Sequence, residues 1–188
     1  QYNNLDEYLR GFGLTNKVMQ RPEHVEQIAY ELAWDNANEG VRHLEVRFAP
    51  QLHMSDDFGF EAVMESVDSG LKKARTEINA TLAPEDPDFD YGIIVIAMRF
   101  FTPAFSQYYR TLFSAHPYSD PEEVIRMASS ELARATVKLR NDSDVQVVAF
   151  DLAGSEMGYP AGEHVEAFNY IHKHFLKKTV HAGEAYGP

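Results

Sequence analysis

The sequence predicts an α/β fold in which parallel strands alternate with helices, read as part of a barrel. Three observations support it. Apolar residues switch repeatedly between the helical and the strand period along the chain. The run Ile93-Ile-Val-Ile-Ala-Met98 is continuously apolar, as in a parallel strand covered on both faces. Three strand ends pass from apolar into polar residues, at the edge where parallel-sheet enzymes place their sites.

The elements follow in order. Pro22 suits a first helical turn, Val25, Ile28, Ala29 and Leu32 recur at helical spacing, and Gly40 sits where a helix stops, so residues 22–39 are predicted helical. Residues 42–49 alternate strictly, with Leu44, Val46 and Phe48 on one face and His43, Glu45 and Arg47 on the other, which predicts a strand ended by Pro50. Phe60 to Ile78 returns to the helical period and ends in a Pro/Asp-rich turn over residues 84–90. Gly92 to Met98 is the second strand. Asp120, Pro121 and Glu123 open a helix carried by Val124, Ala128, Leu132, Ala135 and Leu139. Strands at Val145–Asp151 and Lys178–Ala182 flank a helix near Glu163–Phe175. The segment from Phe100 to Ser119 reads as long, aromatic and irregular, either a functional lid or a surface insertion.

This order implies right-handed crossovers and a helix-covered parallel sheet, open or closed into a barrel. No Gly-rich phosphate loop follows a strand, so a nucleotide-binding open sheet has no support. Alternating Glu45 and Arg47 favour a barrel, into whose interior they would project as a buried pair. A barrel of this type needs about 250 residues. The 188 residues supply four predicted strands, so residues 1–188 are expected to be a partial barrel domain, and the family resemblance given below implies that the first and last strands are the ones missing.

Composition narrows the function. With 44% hydrophobic and 24% charged residues the chain fits a soluble globular class. A net charge of −12 without a basic stripe argues against nucleic-acid partners. The longest apolar runs fall far short of the ~20 residues of a membrane span, and no leader opens the chain, so neither membrane nor secretion is expected. The absence of cysteine excludes a disulfide framework, a thiolate zinc site and a thiol nucleophile, and fits a cytoplasmic home. A metal would have to be held by His, Asp or Glu.

Glu45-Val-Arg-Phe-Ala-Pro50 is either a bracing Glu/Arg pair or part of a site. In Phe150-Asp-Leu-Ala-Gly-Ser-Glu156, Asp151 ends a strand and Gly154 lets backbone approach a ligand, although a plain turn needs the same residue types. In Thr179-Val-His-Ala-Gly-Glu184, an imidazole at a strand end suits a divalent metal, and Gly183 permits a bend that brings Glu184 to the same pocket. A core histidine followed by a surface turn is equally compatible. His24, His53, His116, His164, His172 and His174 show no metal spacing and are expected at the surface.

The blocks Leu44–His53, Ala149–Glu156 and Thr179–Glu184 together resemble the adenosine deaminase family in both order and spacing. The resemblance implies a TIM-type (β/α)8 barrel and a Zn2+ site, with His181 as the one matching ligand in this chain. It implies that Glu184 protonates the purine ring nitrogen at position 1, that the Gly154 N–H meets ring nitrogen 3, and that Gly183 lies against the base. Met98 resembles the strand-end methionine beneath the pocket, and Leu5, Tyr8, Leu9 and Phe12 the apolar gate helix above it. Bound zinc lowers the pKa of water to about 7, and ring protonation makes carbon 6 electrophilic.

The implied reaction is hydrolytic deamination of adenosine or 2'-deoxyadenosine to inosine or 2'-deoxyinosine and ammonia. The alternatives are a deaminase of adenine or another 6-aminopurine, and a non-catalytic barrel module. The implied partner is a small purine nucleoside, and the oligomeric state stays open. Ser155 stands where many members carry aspartate. The His-x-His of the first strand, a later histidine and paired aspartates are absent. The chain alone is therefore expected to bind zinc weakly and to be inactive.

Overall fold

The computed structural model describes Gly11, Gly13 and residues 15–185. Leu5, Tyr8, Leu9 and Phe12, the gate-helix positions, lie outside the described residues. The elements alternate as the sequence predicts: α1 (Pro22–Asn38), β1 (His43–Phe48), α2 (Phe60–Asn79), β2 (Asp90–Met98), α3 (Gln107–Ala115), α4 (Pro121–Asp142), β3 (Val147–Ala153), α5 (Val165–Lys173) and β4 (Lys177–Lys178). All strands are parallel and stand in the order β1-β2-β3-β4. A parallel sheet wrapped by helices in this sequential order is part of a (β/α) barrel.

Strand alternation sends side chains to two faces. Ile93, Val95, Ala97, Phe150 and Leu152 enter the main core with Val63, Met64 and Leu71 of α2, and Leu44, Val46 and Phe48 pack against it. The other face carries Arg47, Ile96, Met98, Asp151 and Ala153, brought level by the register Ile96↔Asp151 and Met98↔Ala153. Helices α1 and α2 approach so closely that a β-carbon on Gly70 would lie 2.2 Å from the Glu26 carbonyl oxygen.

Four expectations are corrected. First, β4 spans Lys177–Lys178 rather than Lys178–Ala182. Parallel pairing nevertheless runs on, since the N–H groups of Thr179 and His181 donate to the carbonyls of Phe150 and Leu152, each at 2.9 Å.

Second, the segment from Phe100 to Ser119 is not irregular. Ser106 caps α3 by accepting from the Tyr109 N–H at 3.2 Å, and its hydroxyl donates to the Gln51 carbonyl at 2.7 Å. Phe101 stacks on Tyr109 at 3.8 Å, and both join Val124, Ile125 and Ala128 in a second core. The Tyr109 hydroxyl also donates to Gln51 Oε1 at 3.1 Å, so Phe101 and Tyr109 are packed interior, whereas Phe105 and Tyr118 stay exposed.

Third, Glu45 and Arg47 form no buried pair. Their side chains are 44% and 45% exposed, Glu45 lying 3.7 Å from His43 and Arg47 3.5 Å from Asp151. Fourth, His53 and His164 are not surface residues but are 3% and 1% exposed. His53 Nδ1 lies 2.9 Å from the Met19 carbonyl, and burial pulls its pKa below the ordinary histidine value.

Candidate active site

The site forms where β1 to β4 end, on the face turned away from the helices. Asp151 is fully buried there. Its Oδ2 lies 2.8 Å from His181 Nδ1 and 3.5 Å from Arg47 Nη1, while Oδ1 accepts from the Leu152 N–H at 2.8 Å. The carboxylate thus faces two cationic or protonatable groups from strands on either side.

The His181 backbone is fixed as firmly. Its N–H joins the β3 ladder, and its carbonyl accepts from Arg99 Nη2 at 2.6 Å. Arg99 follows Met98 at the end of β2, is 2% exposed, and through Nη1 also donates to the Tyr159 carbonyl at 2.7 Å. Beyond His181 the chain turns at Gly183 with φ of +82°, in the left-handed region where glycine is unstrained. Gly183 and Glu184 are exposed. The N–H groups of Gly183, Glu184 and Ala185 all donate to the Glu156 carboxylate, at 3.1, 2.9 and 2.8 Å. Those amides, Ala185 and Gly183 foremost, together with the Arg99 charge hold Glu156 below the usual carboxylate range.

Beside this edge opens a pocket of about 1340 Å³, lined among others by Phe48, His53, Met98, Phe100, Gly154 and Tyr159. Phe100 stacks on Tyr159 with ring centroids 4.4 Å apart. Of the residues singled out in the sequence, the structure brings Met98 and Gly154 together in the pocket lining. His181, Gly183 and Glu184 group at the next strand end and are not among the described lining residues.

Sequence reasoning passed over Arg99 and gave Glu156 no role. Arg99 was marked only by a charged residue ending an apolar strand, and Glu156 only by its place in the Phe150–Glu156 block.

Among the described residues no three His, Cys, Asp or Glu side chains cluster to hold a metal. One imidazole, that of His181, has the setting of a ligand: its Nδ1 stands 2.8 Å from the Asp151 carboxylate, although not in line for a hydrogen bond, and metal-bound histidines usually have a carboxylate at their second nitrogen.

A parallel strand-and-helix repeat with its polar groups gathered at the C-terminal strand ends defines part of a (β/α)-barrel protein. The adenosine deaminase family matches residues 1–188. The adenosine deaminase of Mycobacterium avium (strain 104) is 32% identical over 183 residues, covering 97% of this chain and 41% of that protein. The Arabidopsis N6-mAMP deaminase structure superposes with a TM-score of 0.68 at 24% identity, covering 98% of this chain and 47% of that one. An amidohydrolase from Burkhoderia ambifaria, solved with bound Zn, gives a TM-score of 0.60 at 19% identity, covering 87% of this chain and 36% of that one. The chain belongs to the adenosine deaminase family and spans about two fifths of the length of the curated relatives it matches.

Proposed function

We propose that the enzyme containing this chain deaminates adenosine or 2'-deoxyadenosine hydrolytically, in a zinc-dependent reaction, yielding inosine or 2'-deoxyinosine and ammonia. The observation that carries this reading is the His181–Asp151 pair, 2.8 Å apart at the strand edge that also holds the Glu184 turn. His181 would hold the metal through Nε2, with Asp151 orienting the ring. Bound zinc supplies a Lewis acid that lowers the pKa of water to about 7.

The chain's own residues supply the rest. Glu184 would give a proton to purine ring nitrogen 1, drawing electron density from carbon 6; water would add its oxygen there, and the amino group, taking up the proton that the water gives up, would leave as ammonia while carbon 6 keeps the oxygen. Gly154, at φ of +106° and without a β-carbon, would let its N–H approach ring nitrogen 3, and Gly183 would lie against the base. Met98 and the stacked Phe100–Tyr159 pair would exclude water from the base, which strengthens each polar contact. No helix among the described residues is long and apolar enough to cross a membrane. A cytoplasmic place, consistent with a cysteine-free chain, belongs to the same proposal.

The test is deamination by the zinc-loaded full-length protein of adenosine, 2'-deoxyadenosine and adenine, with Glu184→Gln as the paired control. Inosine and ammonia from the wild type, largely lost in the variant, support the reading. Turnover of adenine alone overturns the substrate, and no turnover with zinc bound overturns the activity.

A further inference from the structure

Glu156 has no part in the chemistry just described, yet its carboxylate accepts three consecutive backbone N–H groups, those of Gly183, Glu184 and Ala185. Consecutive amides converge on one anion only where the chain curls into a concave cradle, and the left-handed Gly183 provides that curl. The cradle is the stretch that carries Glu184. On the carbonyl side of the same strand end, Arg99 grips the His181 oxygen at 2.6 Å. A buried cation thus holds the carbonyl before the turn and a buried anion holds the amides within it.

We propose that Glu156 is a positioning residue for deamination. It touches no substrate, and it fixes the direction of the Glu184 carboxyl by anchoring the amides of Glu184 and of the residue on either side. Without an anchor, an exposed turn samples many conformations on the nanosecond to microsecond scale, and a proton donor on it loses its aim. A carboxylate is suited to the task because bonds from N–H to an ionised oxygen are about twice as strong as neutral ones. Glutamine has the same shape but lacks the charge and replaces one acceptor oxygen with an NH2 group that cannot accept the facing amides.

The kinetic arm of the test rests on the deaminase reading above, and the exchange arm does not. In the full-length enzyme, hydrogen exchange of the peptide carrying residues 181–185 should show Gly183, Glu184 and Ala185 exchanging at least about 10-fold slower than an unprotected chain, and Glu156→Gln should abolish that protection. With adenosine, Glu156→Gln should lower kcat about 10- to 100-fold with KM within about threefold, the size expected for a displacement of about 1 Å. In a Glu184→Gln background the same substitution should change kcat less than about threefold, because its effect runs through Glu184.

Unprotected exchange in the wild type overturns the proposal even where Glu156→Gln fails to fold, since that measurement needs no variant. An unchanged kcat, or an equal loss in both backgrounds, also overturns it. If the wild type deaminates nothing, the deaminase reading falls while the exchange result still decides whether Glu156 anchors the turn.

Discussion

Met98 lies beneath Gly154 so closely that a β-carbon added to Gly154 would stand 3.2 Å from Met98 Cε and 3.7 Å from the Arg99 amide nitrogen. The φ of +106° at Gly154 is strained for any residue with a β-carbon. Gly154→Ala should therefore cost about 1–3 kcal/mol of stability. It should also raise KM for the purine, because the new methyl group enters the pocket lining. Thermal unfolding and steady-state kinetics check both effects, and an unchanged melting temperature would show that the backbone relaxes without strain.

The contact of α1 with α2 is sterically tighter still. At 2.2 Å from the Glu26 oxygen and 3.0 Å from the Tyr30 nitrogen, a β-carbon on Gly70 meets backbone, which cannot rotate away. Gly70→Ala should force the helices apart and destabilise the fold by about 1–3 kcal/mol, as overpacked cores do. Denaturant unfolding measures this, and kcat of the folded fraction should stay near the wild-type value because Gly70 is remote from the strand ends.

What was legible in the sequence was local or periodic. The alternation of residues 42–49 states which face each side chain takes, and the apolar run Ile93–Met98 states that its strand is covered on both faces; the register between them comes only from the structure. Gly154 was singled out as a close approach for a ligand and Gly183 as a bend, and the structure puts both in the left-handed region that glycine permits. The rest depends on contacts between segments far apart in the chain. His53 is buried because Met19, 34 residues earlier, offers it a carbonyl. Glu156 acquires its partners 27 to 29 residues later, so its motif could not show them. Helix α3 carries an apolar period of its own in Tyr108, Tyr109, Leu112 and Phe113, which the short length of the helix and its aromatic surroundings hid, and the buried Gln51 after β1 packs it from a distance in sequence that no local pattern shows.

Asp151 is fully buried against His181 and Arg47, and it accepts without donating. Asparagine keeps the shape but removes the charge that orients the imidazole. Asp151→Asn in the full-length protein should weaken zinc binding about 10- to 100-fold, the usual cost of removing such a partner. Competition with a chromophoric chelator measures it. Zinc retained at wild-type affinity would show that Asp151 braces Arg47 alone.

His164 gives a prediction about pH. It is 1% exposed, and its pKa falls to about 4, first through burial and then through the neighbouring Arg99 charge, against 6.5 for an ordinary histidine. Between those two values the unfolded chain binds the proton and the folded chain does not. Stability should therefore decline as pH falls from about 6.5 to about 4 and stop declining through this residue below that, where both states are protonated. The full effect is on the order of 3 kcal/mol. Carboxylates titrate in part of the same window, so the informative quantity is the difference between the wild type and His164→Leu. Urea unfolding at pH 7, 6, 5 and 4 should show the wild type losing stability more steeply than the variant, with most of the gap opening between pH 6.5 and 4.5. Parallel profiles would mean that His164 accepts a proton in place, without disturbing the packing that surrounds it.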